Sequence, residues 1–187
     1  NPKDYADAYA GQWAPFKNSD PLDPENQILR EFEKYQHHGV LKRLSQFAHD
    51  HEIYLAYNIG TYFHGDDHQY NTNLVFDDHG QLLLAYQKMN LYGETDLFDT
   101  PNFCAEESFG VKGVTFGVLI CADLGYQFPS KNYLNRGIRH FIAPVYWTDT
   151  MAEMSPIPYF SSWAKQNEAY LVVSQLRTSE NSGSAIM

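Results

Sequence analysis

The stretch that decides the fold is Val114-Thr-Phe-Gly-Val-Leu-Ile-Cys121-Ala-Asp123, an apolar run that ends near a cysteine. Branched and aromatic side chains dominate it, as they dominate buried strands. Open α/β sheets carry their reactive groups at the carboxyl ends of strands. The run therefore predicts a buried strand with the Cys121 thiol at its tip.

A second apolar segment, Gln81–Tyr86, leads to Lys88 and then to Glu94. A thiol that attacks an amide needs groups that stabilise the negative charge on the tetrahedral oxygen. If the two strand ends meet, Lys88 supplies a positive charge there and the backbone N–H of Ala122 supplies a hydrogen bond. Glu94 then holds the ammonium or relays protons. The competing interpretations are a solvated lysine at a strand end and an ordinary surface carboxylate.

Length and composition limit the function classes. The 187 residues are 43% hydrophobic, which predicts one packed globular domain over residues 1–187. The formal net charge of −10 argues against nucleic acid as a partner, because phosphate backbones require clustered cations. Apolar stretches are far shorter than the ~20 residues that cross a bilayer, and no signal peptide is evident. Both ends have the appearance of cuts through a longer protein, so we expect a truncated domain.

Periodicity along the chain predicts a mixed α/β protein. Apolar residues between Gly39 and His51 recur at helical spacing. Strand-like runs flank the turn sequence Asp77-Asp-His-Gly80, which predicts a hairpin. The remaining predicted elements are strands at Ile53–Ile59, Tyr70–Phe76, His140–Val145 and Tyr170–Leu176, with helices at Ser130–Arg136 and Tyr159–Ala169, after a surface loop over residues 1–26. Hairpins early in the chain and alternating strands and helices later favour a mixed sheet covered by helices.

The sequence of several segments resembles that of the nitrilase or carbon–nitrogen hydrolase superfamily, in particular its biotinidase and vanin (pantetheinase) branch. The segments that carry the resemblance are Tyr57-Asn58-Ile59-Gly60, Tyr70-Asn71-Thr72-Asn73, Tyr86-Gln-Lys88-Met-Asn90-Leu91-Tyr92-Gly-Glu94, Phe116-Gly117-Val-Leu-Ile-Cys121-Ala-Asp123, Ala143-Pro-Val-Tyr146-Trp147, Ser162-Trp163-Ala164 and Ser182-Gly183. Their order and spacing follow that branch from about residue 20 onward. The lysine and cysteine segments together are specific, whereas either alone is moderately specific.

The resemblance implies an α-β-β-α sandwich, incomplete here at both ends, and a Glu-Lys-Cys triad that hydrolyses linear non-peptide amides. It gives Cys121 the role of nucleophile, Lys88 that of oxyanion stabiliser and Glu94 that of accessory carboxylate. It also implies a small-molecule amide as partner, a secreted or extracellular location, and membrane association only through parts outside this chain. Thiol, ammonium and carboxylate suffice for acyl transfer, so we expect no cofactor and no metal.

The family's general-base glutamate has no counterpart here, because Glu25, Glu31 and Glu33 lie in polar, non-strand context. We therefore expect these 187 residues alone to be inactive and the complete protein to be active. Two alternatives remain. One is an inactive nitrilase-fold binding or structural protein, and the other is a nitrilase or aliphatic amidase of another branch.

Candidate substrate-binding residues surround the predicted thiol. Tyr146 and Trp147 follow a predicted strand and line a substrate pocket or pack in the core, while Tyr92 is a weaker candidate and Ala122 stands where the branch commonly has an aromatic residue. Cys104 has no assured partner, and two cysteines allow one disulfide at most. His64-Gly-Asp-Asp-His68 has the spacing of a zinc-binding pair on a helix, but Gly65 argues against a helix there, and surface histidines explain the pattern.

Overall fold

The computed structural model describes residues 38–61, 68–102, 108–148, 155–176 and 183–187. The chain divides into two compact units, an N-terminal unit Asn1–Ala105 and a C-terminal unit Glu106–Met187. Several predictions fall on residues outside the described ranges: the surface loop over residues 1–26, Cys104, His64, and the glutamates Glu25, Glu31 and Glu33. Among the helices of the described ranges, none is long and apolar enough to cross a membrane.

The described residues of the N-terminal unit form one helix and an antiparallel three-stranded sheet, at the positions where the periodicity predicts a helix and strands. Helix α1 spans His38–Asp50, and strands β1 (Leu55–Thr61), β2 (Tyr70–Phe76) and β3 (Leu82–Gln87) lie in the order β1-β2-β3. Glu52, with a φ of +51°, interrupts the helical backbone just before β1. The helix and strands agree with the predicted ranges to within two residues at most ends.

Successive side chains of β2 alternate between two faces, with Leu74 and Phe76 on one and Asn71, Asn73 and Val75 on the other. Leu74 and Phe76 pack with Leu41 and Ala48 of α1 in one buried cluster. Each fully buried leucine or phenylalanine stabilises the fold by roughly 1.5–3 kcal/mol. Because successive side chains of a strand point to opposite faces, Asn71 lies on the face away from this cluster.

The β2–β3 hairpin is closed by side-chain and backbone bonds at the predicted turn. One carboxylate oxygen of Asp77 accepts hydrogen bonds from the N–H groups of His79 at 3.0 Å and Gln81 at 2.7 Å. Gly80 has a φ of +80°, a conformation that strongly favours glycine. The Ser45 hydroxyl donates to the Gly80 carbonyl oxygen at 2.7 Å, which ties α1 to the hairpin.

The C-terminal unit contains a mixed five-stranded sheet with helices against it, which confirms the predicted fold class. Its strands are β4 (Phe109–Val111), β5 (Val114–Val118), β6 (His140–Val145), β7 (Tyr170–Gln175) and β8 (Ala185–Ile186), in that spatial order. Strands β5, β6 and β7 are parallel, whereas β4 and β8 pair antiparallel at the edges. Helices α2 (Ser130–Asn135) and α3 (Pro156–Gln166) follow β5 and β6 along the chain.

One core joins the helices to the sheet. Phe141 and Leu171 point from β6 and β7 into a buried cluster with Phe160 and Trp163 of α3. Phe141 meets the Trp163 ring edge-on, with ring centroids 5.3 Å apart. A Cβ added at Gly117 of β5 would lie 2.9 Å from the Phe141 ring, so glycine permits this close approach.

The bounds of two predicted elements are wrong. The strand that leads to Cys121 ends at Val118, although the N–H of Leu119 still donates to the Ile142 carbonyl oxygen at 3.1 Å, and a 3₁₀ helix begins at Cys121. The helix predicted over Tyr159–Ala169 instead spans Pro156–Gln166. Proline suits the first turn of a helix, where its missing N–H has no helical partner, and Glu168 with a φ of +49° cannot continue the helix.

Candidate active site

A tight turn after β5 presents Cys121. A 3₁₀ helix spans Cys121–Gly125, and Cys121 itself has a φ of +47°. Such a conformation costs a non-glycine residue roughly 1–3 kcal/mol, and strain of this kind is concentrated at functional sites. Cys121 is therefore not the last residue of the strand but the first of a strained turn, and it is partly exposed.

Asp123 holds this turn together. Its buried carboxylate accepts a hydrogen bond from the N–H of Ile120 at 2.9 Å, and its own N–H donates to the Ile120 carbonyl oxygen at 3.0 Å. These two bonds join the residues on either side of Cys121 and fix the backbone between them. Sequence reasoning gave Asp123 no role, because its acceptor function becomes visible only when the turn is folded.

Tyr146 lies beside the thiol. The Cys121 thiol donates a hydrogen bond to the Tyr146 carbonyl oxygen, with an Sγ···O distance of 3.6 Å. Parallel neighbours β5 and β6 have their carboxyl ends at the same edge of the sheet, and Tyr146 directly follows β6. Tyr146 is 54% exposed, whereas Ala122 is buried. The C-terminal unit thus brings Cys121, Ala122 and Tyr146 together.

Trp147 packs in the core instead of facing solvent. Its ring centroid lies 4.9 Å from that of Tyr159 and 5.3 Å from that of Phe160. Its carbonyl oxygen accepts a hydrogen bond from the buried Gln175 side chain at 2.9 Å. Of the two interpretations open for Trp147, the geometry favours core packing.

Tyr159 contacts both Trp147 and the turn that carries Cys121. Its hydroxyl donates to the Leu124 carbonyl oxygen, inside the 3₁₀ helix, at 3.1 Å. Burial raises the pKa of the Tyr159 hydroxyl above its ordinary value. The residue was predicted only as part of a helical pattern, and its bond to the turn carries no sequence signal.

Lys88 is a buried cation at the end of β3. Its side chain is only 1% exposed, and its Nζ lies 2.5 Å from Oε1 of Glu94, whose side chain is 21% exposed. Burial of an unpaired ammonium costs several kcal/mol, which the carboxylate offsets. This placement does not fit a solvated lysine, and the pairing with Glu94 is the one that sequence reasoning anticipated.

Two asparagines extend the Lys88–Glu94 pair. Asn71 donates from Nδ2 to the same Glu94 oxygen at 3.0 Å, and Asn58 donates to Asn71 Oδ1 at 2.8 Å. Both residues occur in the segments that carry the family resemblance, yet sequence reasoning assigned neither a role. Their contact depends on the register of β1 against β2, which the sequence does not reveal.

The weaker candidates are surface residues. Tyr92 is 69% exposed, and no described contact draws it toward Lys88. His68 pairs with Asp99, with 3.4 Å between Nδ1 and Oδ2, and is exposed. This agrees with the interpretation of His68 as a surface histidine.

The described residues include one cluster with metal-ligand composition, Asp77, Asp78 and His79 on the β2–β3 hairpin, whose potential ligand atoms lie within 4.8 Å of one another. One Asp77 oxygen already accepts two backbone N–H groups, and His79 Nδ1 lies 3.0 Å from Asp78 Oδ1. The cluster is explained by turn chemistry.

Comparison with known proteins identifies the family. Residues 24–170, most of the chain, match the carbon–nitrogen hydrolase family. The chain belongs to the carbon–nitrogen hydrolase family. Its mixed α/β architecture and the order of its lysine and cysteine segments agree with that membership.

Relatives of this carbon–nitrogen hydrolase chain come from the predicted branch. A pantetheinase from Bos taurus is 28% identical over 155 residues, which cover 77% of this chain and 30% of that protein. A biotinidase from Bos taurus is 33% identical over 130 residues, which cover 63% of this chain and 25% of that protein. The resemblance to the biotinidase and vanin branch is confirmed, and the chain spans less than a third of these relatives.

A solved structure supports the fold. Nit3 of Saccharomyces cerevisiae, a member of branch 10 of the nitrilase superfamily, superposes with a TM-score of 0.70 at 21% identity, covering 84% of this chain and 63% of Nit3. Similarity at this level of identity establishes the fold alone. The predicted nitrilase-like fold is thereby confirmed for this carbon–nitrogen hydrolase chain.

Proposed function

We propose that the complete protein is an amidohydrolase that cleaves a linear non-peptide amide, such as a biotin or pantothenate conjugate, through a covalent intermediate on Cys121. The buried Lys88 ammonium, paired with Glu94, carries the proposal. A buried ion pair is weak evidence for stability, since apolar residues of similar volume often serve as well. An ammonium held at a strand end suits the stabilisation of a developing oxyanion.

The turn at Cys121 supports the nucleophile assignment. A strained backbone, fixed by Asp123, holds a partly exposed thiol at the edge of the sheet. Pre-organisation of this kind is expected of a group that must approach a carbonyl carbon in one direction. A thiol buried only for packing gains nothing from a left-handed φ.

The proposed reaction balances without a cofactor. The Cys121 sulfur bonds to the amide carbonyl carbon while a glutamate base takes the thiol proton. Lys88 and the N–H of Ala122 stabilise the oxyanion. The C–N bond then breaks, and the amine leaves with that proton. Water, deprotonated by the same base, attacks the thioester and releases the carboxylic acid and the thiol.

The remaining groups have accessory roles in this proposal. Glu94 orients the ammonium, the exposed Tyr146 contributes to substrate binding, and Tyr92 is a weaker candidate for the same role. The base is a glutamate that the family resemblance puts upstream of the Lys88 segment. By the same resemblance we infer a secreted or extracellular protein with a small-molecule partner.

The test compares substrates on the complete protein. Pantetheine, a biotinyl amide, a short aliphatic amide and a simple nitrile are supplied side by side, and an acyl adduct is sought by mass spectrometry. We expect turnover of one of the two conjugates and an adduct on the peptide that contains Cys121. The Cys121→Ser variant should form no thioester, while Cys104→Ser serves as the control for a second thiol.

Two outcomes would overturn the proposal. Absence of turnover and of any adduct would indicate a binding or structural protein that retains the fold. Turnover restricted to the nitrile or the aliphatic amide would assign the protein to another branch.

A further inference from the structure

We propose that Asn71 is a positioning residue for the reaction: it holds the Glu94 carboxylate, and through it the Lys88 ammonium, while Asn58 fixes the direction in which the Asn71 amide faces. The inference rests on the proposed function and adds residues to it. It is carried by a chain of hydrogen bonds across the N-terminal unit.

Asn71 and Lys88 converge on one oxygen atom. Oε1 of Glu94 accepts from Asn71 Nδ2 at 3.0 Å and from Lys88 Nζ at 2.5 Å. Asn71 also accepts a hydrogen bond from the backbone N–H of Lys88 at its carbonyl oxygen, at 2.8 Å. One residue therefore anchors both the backbone of the lysine and the partner of its side chain.

Asn58 determines which end of the Asn71 amide meets the carboxylate. Its Nδ2 donates to Asn71 Oδ1 at 2.8 Å and to the Thr72 carbonyl oxygen at 3.1 Å. Because Asn71 Oδ1 is occupied by a donor, the NH₂ group of Asn71 is directed at Glu94. The reversed amide would place an oxygen against a carboxylate oxygen, which is repulsive.

The arrangement constrains Glu94 without neutralising it. An amide carries no net charge, so Asn71 restricts the carboxylate in space and leaves its charge to Lys88. An ammonium has three donors, and the contact with Glu94 uses one of them. A carboxylate fixed in this way fixes the direction of the remaining N–H groups, and a misplacement of about 1 Å costs on the order of 100-fold in rate.

The test is a double-mutant cycle on the complete protein. Asn71→Asp keeps the size of the side chain but replaces the donor by an acceptor, and Asn71→Ala removes both. We expect each to lower kcat by about 10- to 100-fold with little change in KM, with Asn71→Asp at least as severe as Asn71→Ala. In a Glu94→Gln background, Asn71→Ala should lower kcat by less than about threefold further, because it acts through Glu94.

Asn135→Ala supplies the matched control. Asn135 is an exposed asparagine at the end of α2, in the C-terminal unit. We expect this variant to leave kcat and KM unchanged.

The possible outcomes separate the two proposals. If the unmodified protein turns over a conjugate but Asn71→Asp retains its kcat, the positioning role is wrong and the hydrolase stands. Effects of Asn71→Ala and Glu94→Gln that simply multiply also exclude action through Glu94. If the unmodified protein turns over nothing, both proposals fail.

Discussion

The buried carboxylate of Asp123 accepts a hydrogen bond from the backbone N–H of Ile120, the residue before Cys121. This bond links the residues on either side of Cys121. The position of the thiol therefore depends on the side chain of Asp123, which is fully buried. The conformation of the turn at Cys121 therefore requires the Asp123 carboxylate.

Replacement of Asp123 should therefore loosen the turn. Asp123→Ala leaves a buried N–H without its acceptor, which costs roughly 1–3 kcal/mol. We expect urea unfolding to show a loss of that size and the kcat of the complete protein to fall. Asp96→Ala, at an exposed position, should change neither, and equal behaviour of the two variants would contradict the role of Asp123.

The Lys88 ammonium should be essential for turnover. Lys88→Met keeps most of the buried volume but removes the charge, and loss of an oxyanion-stabilising group typically costs about 10²–10³-fold in kcat. Steady-state kinetics on the complete protein measure the effect. Lys42→Met, on the exposed side of α1, is the matched control. A Lys88→Met enzyme within a few-fold of the unmodified rate would remove Lys88 from the mechanism.

The Cys121 thiol should be reactive under mild conditions. It is partly exposed on a strained turn, and nucleophilic cysteines react as thiolates below the usual range of about pH 8 to 9. We expect iodoacetamide to label the Cys121 peptide at about pH 7, as followed by mass spectrometry. Labelling that begins only above about pH 8.5 would indicate an ordinary thiol and would favour the non-catalytic alternative.

Gly80→Ala should destabilise the N-terminal unit through two effects. A Cβ at Gly80 would lie 2.6 Å from the Ser45 carbonyl oxygen, and the residue has a φ of +80°. Gly93 has a φ of +71° but no heavy atom within 4 Å of an added Cβ, so Gly93→Ala isolates the conformational cost of roughly 1–2 kcal/mol. Thermal unfolding should show a clearly larger loss of stability for Gly80→Ala than for Gly93→Ala. Equal losses would mean that Ser45 of α1 moves to accommodate the added Cβ at little cost.

Tyr159 should make stability depend on alkaline pH. Burial raises the pKa of its hydroxyl above 10.0, so the folded protein favours the protonated form more than the unfolded chain does. Its contribution is complete below about pH 10 and is lost as the pH rises through the raised pKa. Tyr159→Phe should lose about 1 kcal/mol of stability at pH 7, from the bond to Leu124, and its free energy of unfolding should decline less steeply above about pH 10 in urea titrations. An unchanged pH profile would contradict this assignment.

The elements that sequence reasoning located are those whose pattern is local. The strands Tyr70–Phe76 and His140–Val145 have the predicted bounds because their apolar residues and flanking turn residues are adjacent in the sequence. The edge strands β4 and β8 are two or three residues long, too short for any periodicity, and they exist because a neighbouring strand offers hydrogen bonds.

The residue types proposed for the candidate site could be chosen from the sequence, whereas the residues that support them could not. Cys121 and Lys88 both follow apolar strand-like runs, which singles them out by residue type and position. The asparagine pair depends on antiparallel register, and Asp123 acts through a turn whose φ has no sequence signature. These supports are contacts between atoms that fold formation brings together, and the sequence does not encode them in any spacing.

The close fit of Gly117 against Phe141 has a consequence for the length of the segment that follows it. This contact fixes the position of β5 along β6. Three residues separate Gly117 from Cys121, so the position of the thiol is tied to the contact. One inserted residue would shift the thiol by up to about 3.3 Å and turn it toward another side. An insertion between Gly117 and Cys121 should therefore displace the thiol from its position beside the Tyr146 carbonyl oxygen.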